Sequence, residues 1–197
     1  MGQIFKDIEP YLGDMSKSIF LEIGSDRYEG STEYLCQLAS KYNTQLHSVD
    51  VVPEAKRRLR KLPVNWHIKN GSDWCKVDLP LLDTKVGFVY LDNFDYNWSV
   101  QRPKTPELKN MQEFYRQQLG VEMHNQACQI EHMKQMIHIF PYLTNDAVVA
   151  CDDTYQWNDC WVGKCGPVVV WLLANGFELV KNIRSPKDVG VILKRIA

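Results

Sequence analysis

A loop that could bind a cofactor follows the first apolar run of the sequence. The run is closed by Gly24, and the chain then reaches Gly30-Ser31-Thr32. Gly24 permits a tight turn, and Gly30 lets backbone approach a ligand closely. Ser31 or Thr32 can cap the helix that follows, whose first N–H groups then point toward the site. This spacing is typical of a ligand-binding loop at the end of a β-strand.

The acidity of this loop limits the cofactors that it could take. A dinucleotide fingerprint requires glycines at positions one, three and six, but the third position here is Asp26. The chain also has no GxxxxGK[ST] segment for an ATP phosphate. A pyrophosphate would face Glu22, Asp26 and Glu29, and like charges in a desolvated turn are costly. The loop therefore favours a cationic or zwitterionic nucleoside.

Two further strand ends could complete a nucleoside site. Asp50 follows the second apolar run, where a carboxylate can accept hydrogen bonds from both ribose hydroxyls. Gly71-Ser72-Asp73 follows the third run and could hold an adenine edge, with Trp74 as a stacking or packing face. The alternative is that Asp50 and Asp73 are only turn and cap residues.

The elements that must position these residues alternate along the chain. Apolar runs predict strands over 19–23, 46–49, 64–68, 86–91, 147–151, 177–182 and 189–194. Helical spacing or charge patterning predicts helices over 33–42, 53–62, 168–174 and a long stretch 106–140 broken near Gly120. Strands alternating with helices imply a mostly parallel, Rossmann-like doubly wound α/β sheet, and the short final link makes the last strand pair antiparallel.

The composition is ordinary for a soluble globular protein. The chain has 197 residues, 45% of them hydrophobic and 24% charged, with a formal net charge of -1. We therefore expect one domain over 1–197, with no general attraction to nucleic acid or an anionic membrane. No apolar run approaches the roughly 20 residues of a membrane span, and residues 1–10 lack a signal-peptide layout, so a cytoplasmic location is expected. The six cysteines form no CxxC pair, which favours reduced thiols.

Four short motifs at strand ends resemble the successive motifs of class I S-adenosylmethionine (SAM)-dependent methyltransferases. They read Glu22-Ile23-Gly24 with Gly30-Ser31-Thr32, Ser48-Val49-Asp50, Gly71-Ser72-Asp73, and Val89-Tyr90-Leu91-Asp92. The first motif, E-x-G-x5-G-S-T, and the acidic pair after the fifth strand are most similar to the macrocin O-methyltransferase-like group, methyltransferase family 24. The resemblance covers residues 19 to about 180.

The resemblance implies a seven-stranded sheet with an antiparallel final strand and methyl transfer from SAM to an oxygen. The expected acceptor is a hydroxyl of a small molecule or sugar. Neither nucleic acid nor a membrane is expected as a partner, and self-association into a homo-oligomer stays open. The residues that would bind SAM are Glu22, Gly24, Ser25, Gly30, Ser31, Thr32, Asp50, Val51, Gly71, Ser72, Asp73 and Asp92.

The same resemblance implies a metal. In that group three aspartates hold a magnesium-type ion beside the methyl donor, and the matching positions here are Asp92, Asp152 and Asp153. Carboxylates without His or Cys favour Mg²⁺ or another hard divalent cation, which would lower the pKa of the acceptor hydroxyl. Adjacent carboxylates also repel one another without a cation. The alternative is that these aspartates are turn and cap residues.

The sequence departs from the group after the fourth strand. Where members often carry a His, this chain has Asp95, so the expected catalytic residues are Asp92, Asp95 and Asp152. A metal-independent methyltransferase would use Asp95 or His124 as its base. Residues 93–125 are expected to form a variable insertion covering the substrate site. A non-catalytic binding module presenting Tyr96, Trp98 and Trp157 is the alternative from another class.

Three weaker patterns have structural and functional interpretations. His124, Cys128 and His132 are spaced like soft metal ligands, but partly buried helix residues explain them better. The basic run 56–61 is interpreted as a solvated helix face rather than a nucleic-acid contact. The aromatic segment 155–161, followed by Gly163-Lys164-Cys165-Gly166, suits either acceptor stacking or loop packing.

Overall fold

The computed structural model describes residues 4, 7–93, 106–120, 122–185 and 188–196. Its strands are β1 (Ser18–Ile23), β2 (Gln45–Asp50), β3 (Val64–Ile68), β4 (Lys85–Leu91), β5 (Leu143–Asp152), β6 (Thr154–Trp157), β7 (Cys160–Gly163), β8 (Phe177–Arg184) and β9 (Val189–Arg195). Its helices are α1 (Ser31–Lys41), α2 (Glu54–Arg58), α3 (Gly71–Val77), α4 (Pro106–Phe114), α5 (Asn125–Ile139) and α6 (Gly166–Leu173). A π-helical turn, Tyr115–Leu119, continues α4.

Seven strands form one sheet in the order β3-β2-β1-β4-β5-β9-β8. Neighbouring strands are parallel except where β9 pairs with β5 and β8. The strand order reverses between β1 and β4, and sheets of this kind bind ligands beyond the strand carboxyl ends at that point. The structure thus confirms the predicted doubly wound sheet with its antiparallel last strand.

Two apolar cores, one on each face of the sheet, explain why the central strands read as continuous apolar runs. Leu21 and Val89 pack in one core with side chains of α3, α5 and α6. Their strand neighbours Phe20 and Phe88 pack in the other core with side chains of α1. Because β1 and β4 are covered on both sides, apolar residues are favoured at successive positions.

Three elements differ from the sequence-based expectation. The helix expected over 53–62 covers only Glu54–Arg58, and the residues from there to Leu62 form turns and a bend. Helix α3 is not predicted, although Asn70 caps it by accepting a hydrogen bond from the Asp73 N–H. The β6–β7 hairpin is also missed; Asn158 and Asp159 form its turn with φ of 46° and 61°, the conformation that an Asn-Asp pair tolerates best.

The long stretch 106–140 is broken at Gly120 as predicted. Gly120 has φ of 67°, and it separates the Tyr115–Leu119 turn from α5. All six cysteines are free in the structure. Among the described residues, no helix has both the length and the apolar character needed to cross a bilayer.

Candidate functional site

A cavity of about 700 Å³ opens beyond the carboxyl ends of the strands on the β1 side of the switch point. Strand-end residues form one wall, and α5 with the end of α4 forms the other. A volume of this size suits a nucleoside-sized ligand. The lining residues are Arg27, Val49, Asp50, Val51, Lys69, Asn70, Gly71, Asn93, Phe114, Tyr115, His124, Gln126, Ala127, Ile130, Glu131 and Lys134.

Asp50 brings a buried carboxylate to this cavity. Its Oδ2 accepts a hydrogen bond from the Ser25 N–H (2.9 Å), and its Oδ1 accepts one from the Val52 N–H (2.9 Å). Burial raises the pKa of Asp50, although the backbone hydrogen bonds oppose that rise. Each carboxylate oxygen has a second lone pair. Asp50 can therefore accept two further hydrogen bonds, as a ribose with vicinal hydroxyls would donate.

Asn93 offers a second acceptor to the cavity. It follows Asp92 at the end of β4, and its Oδ1 is buried without a hydrogen-bond partner among the described residues. A buried amide oxygen is normally satisfied. A donor on a bound ligand would supply the missing hydrogen bond, so the cavity fits a nucleoside cofactor on this observation as well.

Glu22 does not line the cavity, and its carboxylate instead ties the loop to the sheet. Its Oε1 accepts from Ser31 Oγ (2.9 Å), and its Oε2 accepts from Thr32 Oγ1 (2.7 Å) and from Ser48 Oγ. Ser48 Oγ also lies 2.7 Å from Ser25 Oγ. Burial raises the pKa of Glu22 to about 8, although the three hydroxyls oppose the rise.

Ser31 and Thr32 consequently do not cap α1 through their side chains. The helix N-cap is Gly30, and no side chain caps it. Thr32 Oγ1 accepts the Asp26 N–H (3.0 Å) while it donates to Glu22. Ser31 and Thr32 are the first two helical residues, past the N-cap, and their hydroxyls donate to Glu22 and so hold the loop.

Two loop glycines have left-handed backbone. Gly24 has φ of +95°, and a Cβ there would lie 2.5 Å from backbone atoms of Asp92 and Asn93. Gly30 has φ of +89° with open space around its Cβ position, and its N–H donates to Asp26 Oδ1 (2.8 Å). Gly24 is therefore required by a close approach of β1 and β4, and Gly30 by its conformation alone.

Arg58 fixes the loop from α2, a role that the basic run did not reveal. Its Nη2 donates to Asp26 O (3.0 Å) and to Asp26 Oδ2 (2.8 Å). Its guanidinium also lies 4.4 Å from the centre of the Tyr28 ring. Burial opposes ionisation of Asp26, but the hydrogen bonds from Arg58, Glu29 and the Gly30 N–H, together with the Arg58 charge, lower the Asp26 pKa. The basic residues of the run 56–61 are exposed, as the solvated-face interpretation expected, and Arg58 in addition ties the loop to α2.

The third strand end is only partly in the cavity. Gly71 and Val51 line it. The Ser72 N–H donates to Glu131 Oε1 (3.1 Å) of α5. Asp73 is exposed on α3 and does not line the cavity. Trp74 is buried beside the His67 ring, at 4.7 Å between ring centroids, so its indole packs the core rather than a ligand.

A second group of charged residues lies at the ends of β4, β5 and β7. Lys164 Nζ lies 2.6 Å from Asp92 Oδ1 and 3.0 Å from Asp153 Oδ2. Tyr90 donates from its hydroxyl to Asp152 Oδ2 (2.6 Å). The structure therefore brings the three predicted metal aspartates together, and it adds a lysine and a tyrosine that the motif comparison missed.

Asp92, Asp152 and Asp153 form a carboxylate cluster around Lys164. Burial and the charges of neighbouring groups shift the pKa values of Asp152 and Lys164. Burial disfavours the Lys164 ammonium, but Asp92 and Asp153 outweigh that effect and raise its pKa well above the usual value. Burial, together with repulsion from Asp92 and Asp153, raises the pKa of Asp152 to about 7. The cluster combines a permanent cation with a carboxylate that can exchange a proton near neutral pH.

The carboxylate cluster does not fit the expected divalent metal. Lys164 Nζ already bridges Asp92 and Asp153 at hydrogen-bonding distances. A hard divalent cation would have to lie about 2.0–2.6 Å from the same oxygens, against the ammonium. Among the described residues, no group of three or more His, Cys, Asp or Glu side chains is arranged to hold a metal ion.

Other candidate residues are distributed around both groups. His124 lines the cavity, and its Nδ1 accepts the Ala127 N–H (3.1 Å) as the N-cap of α5. Cys128 and His132 are buried in α5, as the structural interpretation expected. On the β6–β7 hairpin, Trp157 lies 5.6 Å from the Arg184 guanidinium. Asp95, Tyr96 and Trp98 lie outside the described residues.

Comparisons with known proteins establish the fold. No protein-family model matches the chain, and no curated protein matches its sequence. A candidate methyltransferase from Streptococcus mutans in complex with S-adenosylhomocysteine, abbreviated SAH, aligns over 100% of this chain and 99% of its own. Its TM-score is 0.54 and its identity 12%. An rRNA methylase from Streptococcus thermophilus aligns over 98% and 94%, with a TM-score of 0.52 and 7% identity.

A third neighbour acts on a small molecule. It is the 1,6-didemethyltoxoflavin-N1-methyltransferase of Burkholderia thailandensis with 1,6-didemethyltoxoflavin and SAH bound, aligned over 100% of this chain and 80% of its own. Its TM-score is 0.50 and its identity 13%. The chain therefore has the Rossmann-like fold of class I SAM-dependent methyltransferases, and likeness at such identities extends to the fold alone.

Proposed function

We propose that this chain is a SAM-dependent O-methyltransferase acting on a small molecule or sugar. The observation that carries the proposal is the placement of Asp50 in the cavity at the switch point, with both oxygens oriented by backbone N–H groups and able to accept more. The neighbours methylate different classes of acceptor, as their names state. The acceptor class is therefore proposed from the sequence resemblance, which implies methyl transfer to a hydroxyl, and not from these neighbours.

The donor would lie along the ends of β1 to β4. Asp50 would accept the ribose hydroxyl hydrogen bonds, while Val51, Gly71 and Asn93 would surround the nucleoside. Gly24 and Ser25 would contact the donor through backbone. Glu22, Ser31 and Thr32 would act indirectly, by holding the loop in place. Asp73 would not contact the donor, because it does not line the cavity.

The carboxylate cluster would face the reacting atoms. SAM supplies an electrophilic methyl group on a positively charged sulfur. Asp92 follows β4 directly beside Ile23, since the Asp92 N–H donates to Ile23 O (2.8 Å). Lys164 offsets the charge of Asp92 and Asp153, so Asp152 would be the carboxylate left to face the cationic sulfur.

Asp152 would act as the general base. It is partly exposed, and its pKa of about 7 suits proton transfer near neutral pH. The acceptor hydroxyl would lose its proton to Asp152 while its oxygen bonds the methyl carbon and the carbon–sulfur electron pair returns to sulfur. Asp152 has stronger support than His124, whose Nδ1 already accepts an N-cap hydrogen bond. Aromatic side chains of the β6–β7 hairpin would provide a stacking face for the acceptor.

Isothermal titration calorimetry with SAM and SAH tests donor binding. We expect Asp50→Asn to weaken binding roughly tenfold or more, because hydrogen bonds to a charged group are lost in a desolvated site. The control is Asp83→Asn, since Asp83 is an αL turn residue at the opposite end of the sheet, a conformation that Asn tolerates. Absence of SAH binding, or equal affinity in the wild type and Asp50→Asn, would contradict the proposal.

Acceptor chemistry needs a separate assay. Transfer of a labelled methyl group should be detected with hydroxylated small molecules or sugars and should be lost in Asp152→Asn. Transfer only to rRNA would refute the proposed acceptor class while leaving donor binding intact.

A further inference from the structure

Lys164 follows β7 and brings a cation into the carboxylate cluster. Its side chain is 8% exposed, and Nζ lies 2.6 Å from Asp92 Oδ1 and 3.0 Å from Asp153 Oδ2. Asp92 and Lys164 are 72 positions apart in the chain. Charge-assisted hydrogen bonds of this kind are among the strong interactions in a protein, particularly when they are shielded from water.

The backbone of the β6–β7 hairpin fixes the position of Lys164. The Lys164 N–H donates to Asp153 O (3.0 Å), and the Cys165 N–H donates to Thr154 Oγ1 (3.0 Å). Gly163 has φ of +98°, and a Cβ there would lie 1.9 Å from Asp153 O. Only glycine lets the two hairpin strands approach so closely, and that approach delivers the ammonium to the carboxylates.

We propose that Lys164 is a built-in cation that takes the place of a divalent metal at Asp92, Asp152 and Asp153. This inference rests on the proposed methyl-transfer function for its catalytic meaning, but the exchange of cations can be measured without turnover. Lys164 is a positioning residue. It neutralises Asp92 and Asp153 and holds them in place, while Asp152, bonded by Tyr90, remains the carboxylate available to an acceptor.

The oxygen atoms explain why the ammonium and a metal exclude each other. A metal bound by three carboxylates needs one oxygen from each, converging on a single point. Lys164 Nζ takes an oxygen of Asp92 and one of Asp153. The Asp152 oxygens accept from Tyr90 Oη (2.6 Å) and from the Asp153 N–H (2.9 Å). Removal of the ammonium would leave carboxylates whose strongest available partner is a divalent cation.

Titration with Mn²⁺, followed by electron paramagnetic resonance of the free ion, tests this exchange. The wild type and Lys164→Arg should bind no Mn²⁺ tighter than about 1 mM, a weak value even for extracellular oxygen-ligand sites. Lys164→Gln should bind one Mn²⁺ per chain at least roughly tenfold more tightly, and the double variant Lys164→Gln/Asp153→Asn should lose that gain. Lys181→Gln is the matched control, because Lys181 forms a partly exposed ion pair with Asp7 at 3.6 Å, away from the carboxylate cluster.

The outcomes separate this inference from the proposed function. Tight Mn²⁺ binding by the wild type, lost in Asp92→Asn, would overturn the built-in cation. A folded Lys164→Gln variant without added Mn²⁺ affinity would overturn it too. If Lys164→Gln fails to fold, the Mn²⁺ titrations of the wild type and Lys164→Arg still test the inference, because tight binding by either protein would overturn it. SAH binding is measured at the Asp50 cavity, so its failure would refute the proposed function and leave the Mn²⁺ result unchanged.

Discussion

Glu22 shows how one buried side chain can organise a binding loop without touching the ligand. Its two oxygens accept hydrogen bonds from three hydroxyls on α1 and β2. Removal of any one hydroxyl would leave a buried acceptor poorly satisfied, which typically costs about 1–3 kcal/mol. The carboxylate therefore links the geometry of the loop to its own protonation state.

The free energy of unfolding should depend on pH through Glu22. Its pKa is about 8 in the folded protein against 4.5 ordinarily. Between these values the folded state binds a proton that the unfolded chain does not. Stability from this group is therefore fully present below the unfolded pKa and is lost as pH rises through the folded one. The slope is at most about 1.4 kcal/mol per pH unit.

Urea unfolding of the wild type and Glu22→Gln at pH 5 and pH 8 measures this contribution. Gln cannot ionise, so the stability lost by the wild type on going to pH 8 should shrink in the variant. Asp152 is the internal reference, because burial also raises its pKa, to about 7, and it is unchanged in both proteins. Equal losses in the two proteins would show that Glu22 does not titrate in this range.

Some residues of the site can be predicted from a local sequence pattern, and others cannot. Gly24 and Asp50 follow apolar runs at recognisable positions, and the structure places both where the strand-end rule expects. Arg58 and Lys164 act across separations of 32 and 72 positions. Their roles arise from contacts between elements distant in sequence, so no local spacing could predict them.

At the scale of elements, α2 is a short helix whose main contribution to the site is one side chain. It has five residues, too few to be stable alone. Arg58 connects it to the loop after β1 through Asp26 and the Tyr28 ring. The loop lies between β1 and α1, so its stiffness affects the cavity that Arg27 and Asp50 line.

Arg58→Ala should weaken SAH binding several-fold, because the loop loses two hydrogen bonds to Asp26 and must be ordered by the ligand. Arg57→Ala is the control, since Arg57 lies in the same helix and is exposed. Calorimetry on both variants checks the difference. Equal affinity of the two variants would show that α2 only covers the sheet.

The β6–β7 hairpin is the element that sequence patterns located least well. Its strands have four residues each, the lower limit of the lengths over which alternation can be recognised. The hairpin forms a separate two-stranded sheet outside the main one. Its position depends on the contact of Gly163 with Asp153, which only the folded chain shows.

Gly163→Ala should lower the free energy of unfolding by about 3 kcal/mol or more, because the added carbon meets backbone and the left-handed conformation is strained. Gly120→Ala is the matched control: Gly120 has φ of +67° with no described atom within 4 Å of its Cβ position, so only the conformational cost of about 1 kcal/mol is expected. Chemical denaturation of both variants gives the comparison. Similar losses of unfolding free energy in the two variants would mean that the hairpin backbone shifts at little cost to accommodate the added carbon.

For the whole molecule, strand periodicity was enough to predict the sheet. Apolar runs mark β1, β4 and β5, β3 alternates apolar and polar residues, and right-handed crossovers leave few ways to connect the strands. The order of the strands then brings Asp50, Asp92 and Asp152 to one edge of the sheet. The motifs that resemble methyltransferases predicted the methyl donor. The position of Lys164 in the carboxylate cluster depends on contacts between distant elements, so no motif predicts it.

The position of β9 between β5 and β8 affects how the molecule is made. Asp152 pairs with Gly190 of β9, and the Asp153 N–H donates to Val189 O (3.0 Å). A ribosome delivers β5 well before β9, so the strand that carries these aspartates has an unpaired edge during synthesis. The nascent chain can therefore complete its donor cavity early, but the centre proposed to hold the acceptor forms only after residues 189–195 have emerged.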